Sequence, residues 1–136
     1  MVGARGGDRG WLRGAALVAL LVSAPDSLLA CECAGASLLV SSLQRREDRD
    51  AEVFLGRVVR ILSPREAEVE VLESFSGTGG LKRLRSRDSS SCAVGFGAGQ
   101  RHVYAPATGG LVDLCSRHDP SPEFLARLRA ARRPGP

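Results

Sequence analysis

Aromatic residues make up only 4% of the chain, and Phe54, Phe75, Phe96, Tyr104 and Phe124 fall within apolar, strand-like or helix-like stretches. Nucleic-acid binding needs a basic stripe with stacking aromatics on it, so these side chains read as core and no nucleic-acid partner is expected. Histidine is scarcer still. His102 and His118 have no helical His-x-x-x-His spacing, and the cysteines include no pair at zinc-finger spacing, so no zinc site or other cofactor of the chain's own is expected. Ser116-Arg117-His118-Asp119 holds the residue types of a catalytic triad, but triad members converge from separate segments, and neighbours in one loop cannot do so. No nucleophile, base and orienting group can be placed together, so an enzyme is not expected.

The chain also lacks any apolar run long enough to stay in a bilayer. The nearest, Gly14 to Ala24, has the length of an export signal's apolar region instead. It follows Arg5, Arg9 and Arg13 and leads to Leu28-Leu29-Ala30 before Cys31, so residues 1–30 read as a signal peptide and 31–136 as one secreted domain. A second reading of Leu-Leu-Ala-Cys is a lipobox, in which Cys31 is lipidated and the protein becomes an envelope lipoprotein. Membrane association is expected only in that case. The net charge is +4 for the whole chain, and without the leader it falls to about +3, most of the excess lying in the last turn-rich and helical stretch. The mixed run Arg45-Arg46-Glu47-Asp48-Arg49-Asp50 reads as a solvated helix end or loop.

Against these absences stand four cysteines, all after residue 30. An even number in an exported chain argues for two disulfides. Cys31 and Cys33 are separated by one residue, and a ring that tight strains the bond, so each should reach a distant partner. Two pairings with Cys92 and Cys115 remain. Either closes long loops worth roughly 4 kcal/mol each on the chain-entropy model, in a domain small enough to bury only about 60% of its unfolded surface.

The remaining pattern is mostly β. A short helix is expected over Ser37 to Leu43. Val53 to Leu62, rich in β-branched residues, reads as a strand with a bulge or sharp bend at Gly56. Glu66 to Val71 alternates so regularly that Ala67, Val69 and Val71 should face inward, with the glutamates forming a solvated face and not a metal site. Leu81 to Ser86, Arg101 to Ala105 and Leu111 to Cys115 give three more strands. Ser89-Ser90-Ser91 reads as loop, and Gly95-Phe96-Gly97-Ala98-Gly99 as turn, because no βαβ unit surrounds it. Ser121 as N-cap and Pro122 at the first helical position begin a last helix with Phe124, Leu125, Leu128 and Ala131 on one face. The expected fold is mainly β, a five-stranded Greek-key barrel of the OB type with a short N-terminal and a C-terminal helix, in a monomer.

Cys31-Glu32-Cys33 is the informative constellation, and it reads in two ways, as a plain staple of the N-terminus or as a metal chelate. Cleavage after Ala30 would leave Cys31 with a free α-amine of pKa about 8 beside its own carbonyl oxygen. Together these form a five-membered chelate for a metal with an open position, such as the zinc of a protease. Disulfides at Cys31 and Cys33 would hold the chelate still and reduce the ordering entropy lost on binding.

Cys-x-Cys directly after a signal peptide resembles the start of the tissue inhibitors of metalloproteinases. Asp50 to Val58 is similar to that family's first strand, Val69 to Gly77 to its second, Cys92 to Ala105 to the cysteine, turn and strand that follow, and Gly110 to Cys115 to the last barrel strand. The compact single-domain form and arginine-heavy composition resemble bacterial members. The resemblance implies a netrin-module OB barrel with Cys31 paired to Cys92 and Cys33 to Cys115. It also implies an inhibitory wedge in which the Cys31 amine and carbonyl bind the zinc of a target metallopeptidase while Glu32 enters the specificity pocket. A carboxylate there requires a cation to receive it. The alternative function is an exported, netrin-like protein-binding module without inhibitory activity.

Overall fold

Alternating and β-branched residues build one antiparallel meander. Strand β1 (Val53–Ser63) turns through Pro64-Arg65 into β2 (Glu66–Ser76), and Gly77 to Gly80 lead to β3 (Leu81–Ser86). The chain is seen in a computed structural model that describes residues 31, 33, 35–45, 51–87 and 91–132. The expected leader, Glu32, residues 46–50 of the charge cluster and Ser89-Ser90 lie outside the described residues. Helix α1 (Ala36–Arg45) precedes the meander, and β4 (Arg101–Tyr104), β5 (Leu111–Val112), β6 (Arg117–His118) and α2 (Pro122–Ala131) follow it.

The six strands among the described residues lie in the order β5-β3-β2-β1-β4-β6. All neighbours are antiparallel except β3 and β5, which pair Arg85 with Leu111 and Ser86 with Val112 in parallel. Only residues 113–116 separate the two edge strands in the chain, so this short turn draws the sheet edges together. The result is a nearly closed, barrel-like sheet with one N-terminal and one C-terminal helix, compatible with an OB-like barrel.

Six strands among the described residues stand where five were expected, and the expected strand from Leu111 to Cys115 ends at Val112. The reason is Asp113. Its Oδ1 accepts hydrogen bonds from the backbone N–H of Cys115 at 2.9 Å and of Ser116 at 3.1 Å, while its own N–H donates to Ser116 Oγ at 2.8 Å. Such side-chain bonds offer the backbone an alternative to the ladder. The chain turns there and returns as β6 beside β4.

The sheet has hydrophobic layers on both faces. Phe54, Val58, Ala67, Val69, Leu84, Val94, Tyr104 and Val112 fill the barrel interior. On the outer face Val53, Leu55, Phe75 and Val103 meet Val40 and Leu43 of α1 and Phe124, Leu128 and Ala131 of α2. Phe96, expected in the core, is only partly buried against the interior layer. Ala67 and Val69 are fully buried, as the alternation requires, and Val71 packs at the margin.

The register of β1 against β2 slips between Leu55 and Gly56, at the expected irregularity. What demands glycine is room. A Cβ at Gly56 would collide with Val69 Cγ1 and stand 3.0 Å from Phe54 Cε2 and 3.2 Å from Tyr104 Cδ2, so two aromatic rings close over the space a side chain would fill.

Helix α2 starts as its residues predict. Ser121 Oγ accepts from the Phe124 N–H at 3.3 Å, and Pro122 occupies the first turn, where its missing N–H costs nothing. Its far end is tied to β2 through Glu73, which receives Arg129 at 2.9–3.1 Å and also Arg132. The hydrogen bonds from Arg129 are the main reason the Glu73 carboxyl sits below the usual carboxylate range.

Candidate functional site

The four cysteines converge at one end of the sheet. Cys31 pairs with Cys92 across 5.1 Å between Cα atoms, and Cys33 pairs with Cys115 across 4.9 Å. Of the two pairings that spacing leaves open, this is the one present. It joins residues 61 and 82 positions apart in sequence, so the segment just before α1 is fastened to two distant loops.

Those loops are themselves fixed. The Cys92 carbonyl accepts from the Leu114 N–H at 3.0 Å, joining the two loops directly. The Val94 N–H donates to the buried Ser86 Oγ at 2.9 Å, which locks the Cys92 loop to the end of β3. Cys115 sits in the Asp113 turn, and Asp113 Oδ2 lies 3.5 Å from Arg87 Nε. Cys33 therefore bonds to a residue whose own backbone is held by a carboxylate.

The two disulfides touch, with Cys31 Sγ 3.5 Å from Cys115 Sγ. With all four cysteines oxidised no thiol hydrogen exists, so this is van der Waals contact between sulfurs. Cys31, Cys33 and Cys115 sulfurs lie within 4.8 Å of one another. Zinc takes thiolates as ligands, and a sulfur committed to a disulfide is not one, so in this state the cluster is a double staple and not a metal cage. Cys33 is exposed and Cys31 half-buried. Glu32, expected to enter a target's pocket, is outside the described residues.

The sequence's other candidates are occupied elsewhere. Ser116 Oγ is engaged with Asp113, and the His118 ring meets Phe124 edge-on at 5.7 Å. His102 lies 3.8 Å from Asp119 through Nε2 and 5.9 Å, ring to ring, from Tyr104. Burial pushes both histidines below their ordinary pKa; Arg117 lowers His102 further, and Asp119 opposes the shift at each. Burial likewise raises Tyr104. His102 Nδ1 and Tyr104 Oη are buried and have no hydrogen-bond partner among the described residues.

The glutamate row is an ion-pair ladder. Glu70 receives Arg57 at 2.7 Å, Glu68 receives Arg60, and Glu66 takes both arms of Arg83 at 2.9 Å. Residue-by-residue reading of the sequence does not find a second feature beside it, an open cavity of about 380 Å³ lined by Ser63, Arg65, Glu66, Arg85, Arg87 and Leu111, among others. Its one sequence signal is arginine at alternate positions of β3 continuing past its end, which puts Arg83, Arg85 and Arg87 on one face.

The chain matches no family model, no curated protein and no solved structure.

Proposed function

We propose that this chain is an exported protein-binding inhibitor of a zinc metallopeptidase, acting through its N-terminal edge and not through catalysis. In this reading the Cys31 amine and carbonyl oxygen chelate the target's zinc, displacing its water, and Glu32 selects the target by requiring a cation in the pocket that receives it. Cys33, Cys92 and Cys115 hold that edge in place. The target supplies the zinc, and the chain needs no cofactor of its own.

The observation that carries the reading is the double fastening of Cys31 and Cys33. This double fastening staples two residues in a row of three to separate loops, each itself hydrogen-bonded into the barrel. It suits a terminus that must meet a metal in one orientation, because the ordering cost is met on folding and not on binding.

The test has two parts. Intact mass and N-terminal sequencing of the protein from its native host should give a chain beginning at unmodified Cys31, four hydrogens lighter than its reduced form. That material, titrated against a panel of zinc metallopeptidases, should inhibit at least one stoichiometrically, and acetylating the Cys31 amine should abolish inhibition. A diacylglyceryl group on Cys31, a different first residue, or inhibition indifferent to acetylation would each remove the chelation mechanism. The first of these would place the protein among lipid-anchored binding modules.

A further inference from the structure

The ladder on the outer face of β1, β2 and β3 has unequal numbers. Its acidic members, Glu66, Glu68 and Glu70, are each claimed by a different arginine, namely Arg83, Arg60 and Arg57. Arg85 stands directly opposite Glu66 in the β2–β3 register, but both Glu66 oxygens are taken diagonally by Arg83. Arg85 is left exposed, with no hydrogen bond or ion pair to a carboxylate among the described residues.

Arg85 is not alone. It lines the cavity at the β1–β2 turn together with Arg65 and Arg87, and Ser63 and Ser86 border the same space. Arg87 is exposed beside it, its Nε 3.5 Å from Asp113 Oδ2. The floor is firm. The Arg85 N–H donates to Gly110 O at 2.8 Å, the Ser86 N–H to Arg65 O at 2.8 Å and the Arg87 N–H to Val112 O at 3.0 Å, so β3, the β5 segment and the β1–β2 turn are bonded together beneath it. Gly110, with φ 77°, lets β5 lie this close, since a Cβ there would strike the Arg83 carbonyl.

We infer that this cavity binds a tetrahedral oxyanion, the phosphate or sulfate group of a monoester, with Arg85 as its principal ligand and Arg65 and Arg87 flanking. Guanidinium forks match the paired oxygens of such a group in geometry as well as charge. Among the described residues the one carboxylate in the cavity wall is Glu66, and Arg83 pairs with both of its oxygens. This site lies on the sheet's ion-pair face and is independent of the zinc-binding reading.

The test is a titration of the isotopically labelled full chain, followed by amide and arginine-side-chain resonances, with inorganic phosphate and with inorganic sulfate at constant ionic strength against chloride. Saturable shifts are expected at Ser63, Glu66, Ser86 and Leu111. Arg85→Ala should weaken binding at least tenfold, Arg85→Lys should fall between it and the parent, and Arg57→Ala, which removes a ladder arginine away from the cavity, should leave affinity within twofold. Glycerol 3-phosphate and a monosaccharide sulfate ester then separate the two sources, the tighter one naming the natural class. Shifts that never saturate, or an Arg57→Ala loss equal to that of Arg85→Ala, would reduce the effect to general charge attraction and overturn the assignment.

Discussion

The two hydrophobic layers share β1 but are built differently. The interior layer is sheet against sheet. Phe54, Val69, Leu84 and Tyr104 come from strands whose backbones are hydrogen-bonded to one another, so none can leave without breaking ladders. The outer layer is sheet against helices, and it exists only while α1 and α2 stay docked. Residues Val53 to Leu55 are buried between the two layers, whereas Val59 and Ile61 at the other end of the same strand are 45% and 42% exposed and, among the described residues, lie outside the cluster that α1 and α2 cover. One strand thus shows what each layer contributes, and the outer layer is expected to open first.

Truncation in each layer is the strongest way to break that comparison. Phe54→Ala should cost about 3–5 kcal/mol and Leu128→Ala about 2–5 kcal/mol, but with different consequences. Hydrogen exchange on the Phe54 variant should show β1, β2 and α2 losing protection together. On the Leu128 variant α2 should lose protection first while β1–β2 amides keep theirs. Equal loss everywhere in both variants would mean the layers form one cooperative unit.

A smaller effect sharpens the picture of the interior. Gly56→Ala adds one methyl where Val69, Phe54 and Tyr104 already meet, and overpacking of this kind costs about 1–3 kcal/mol. The denaturation midpoint should drop, with Phe54 and Tyr104 ring resonances displaced. An unchanged midpoint would show that the rings have space to yield.

How far the sequence discloses this design varies by residue. The alternation from Glu66 to Val71 is visible because burial on one face leaves a period of two. Ser121-Pro122 is visible because capping is a local transaction. Gly56 is visible as an irregularity, but its reason is not, since the rings that crowd it come from its own strand and from β4. The Asp113 turn escapes notice because Leu111 to Cys115 is apolar enough to read as a strand, and only the side chain's capture of two N–H groups ends it. At the candidate site, two long-range disulfides follow from spacing and compartment, but spacing leaves open which cysteine meets which, and before the structure only the family resemblance implies the pairing of Cys31 with Cys92 and Cys33 with Cys115. Arg85 is least legible of all. Its isolation depends on Arg83 reaching diagonally across the register, and no spacing rule along one strand reports that.

Each layer also holds a histidine, which gives the comparison a pH dependence. His102 lies on the interior side two residues from Tyr104, with Arg117 and Asp119 as its charged neighbours, and His118 packs on Phe124 of the outer layer. Burial depresses both pKa values in the fold, so the unfolded chain takes up protons first on acidification. Stability is therefore fully present above about pH 6.5 and falls as pH drops below it toward the folded-state values, by at most about 1.4 kcal/mol per pH unit for each histidine. The carboxyls of Glu66 and Glu73, also depressed, add their loss only below about pH 4.5, where the unfolded chain protonates first, so the two windows separate. Denaturant melts from pH 7.5 to 5 should show the slope, with His118→Gln and His102→Gln each removing part of it. If protonation of His118 acts on the outer layer alone, its share should appear first as lost protection in α2, and a slope untouched by either substitution would assign the acid sensitivity elsewhere.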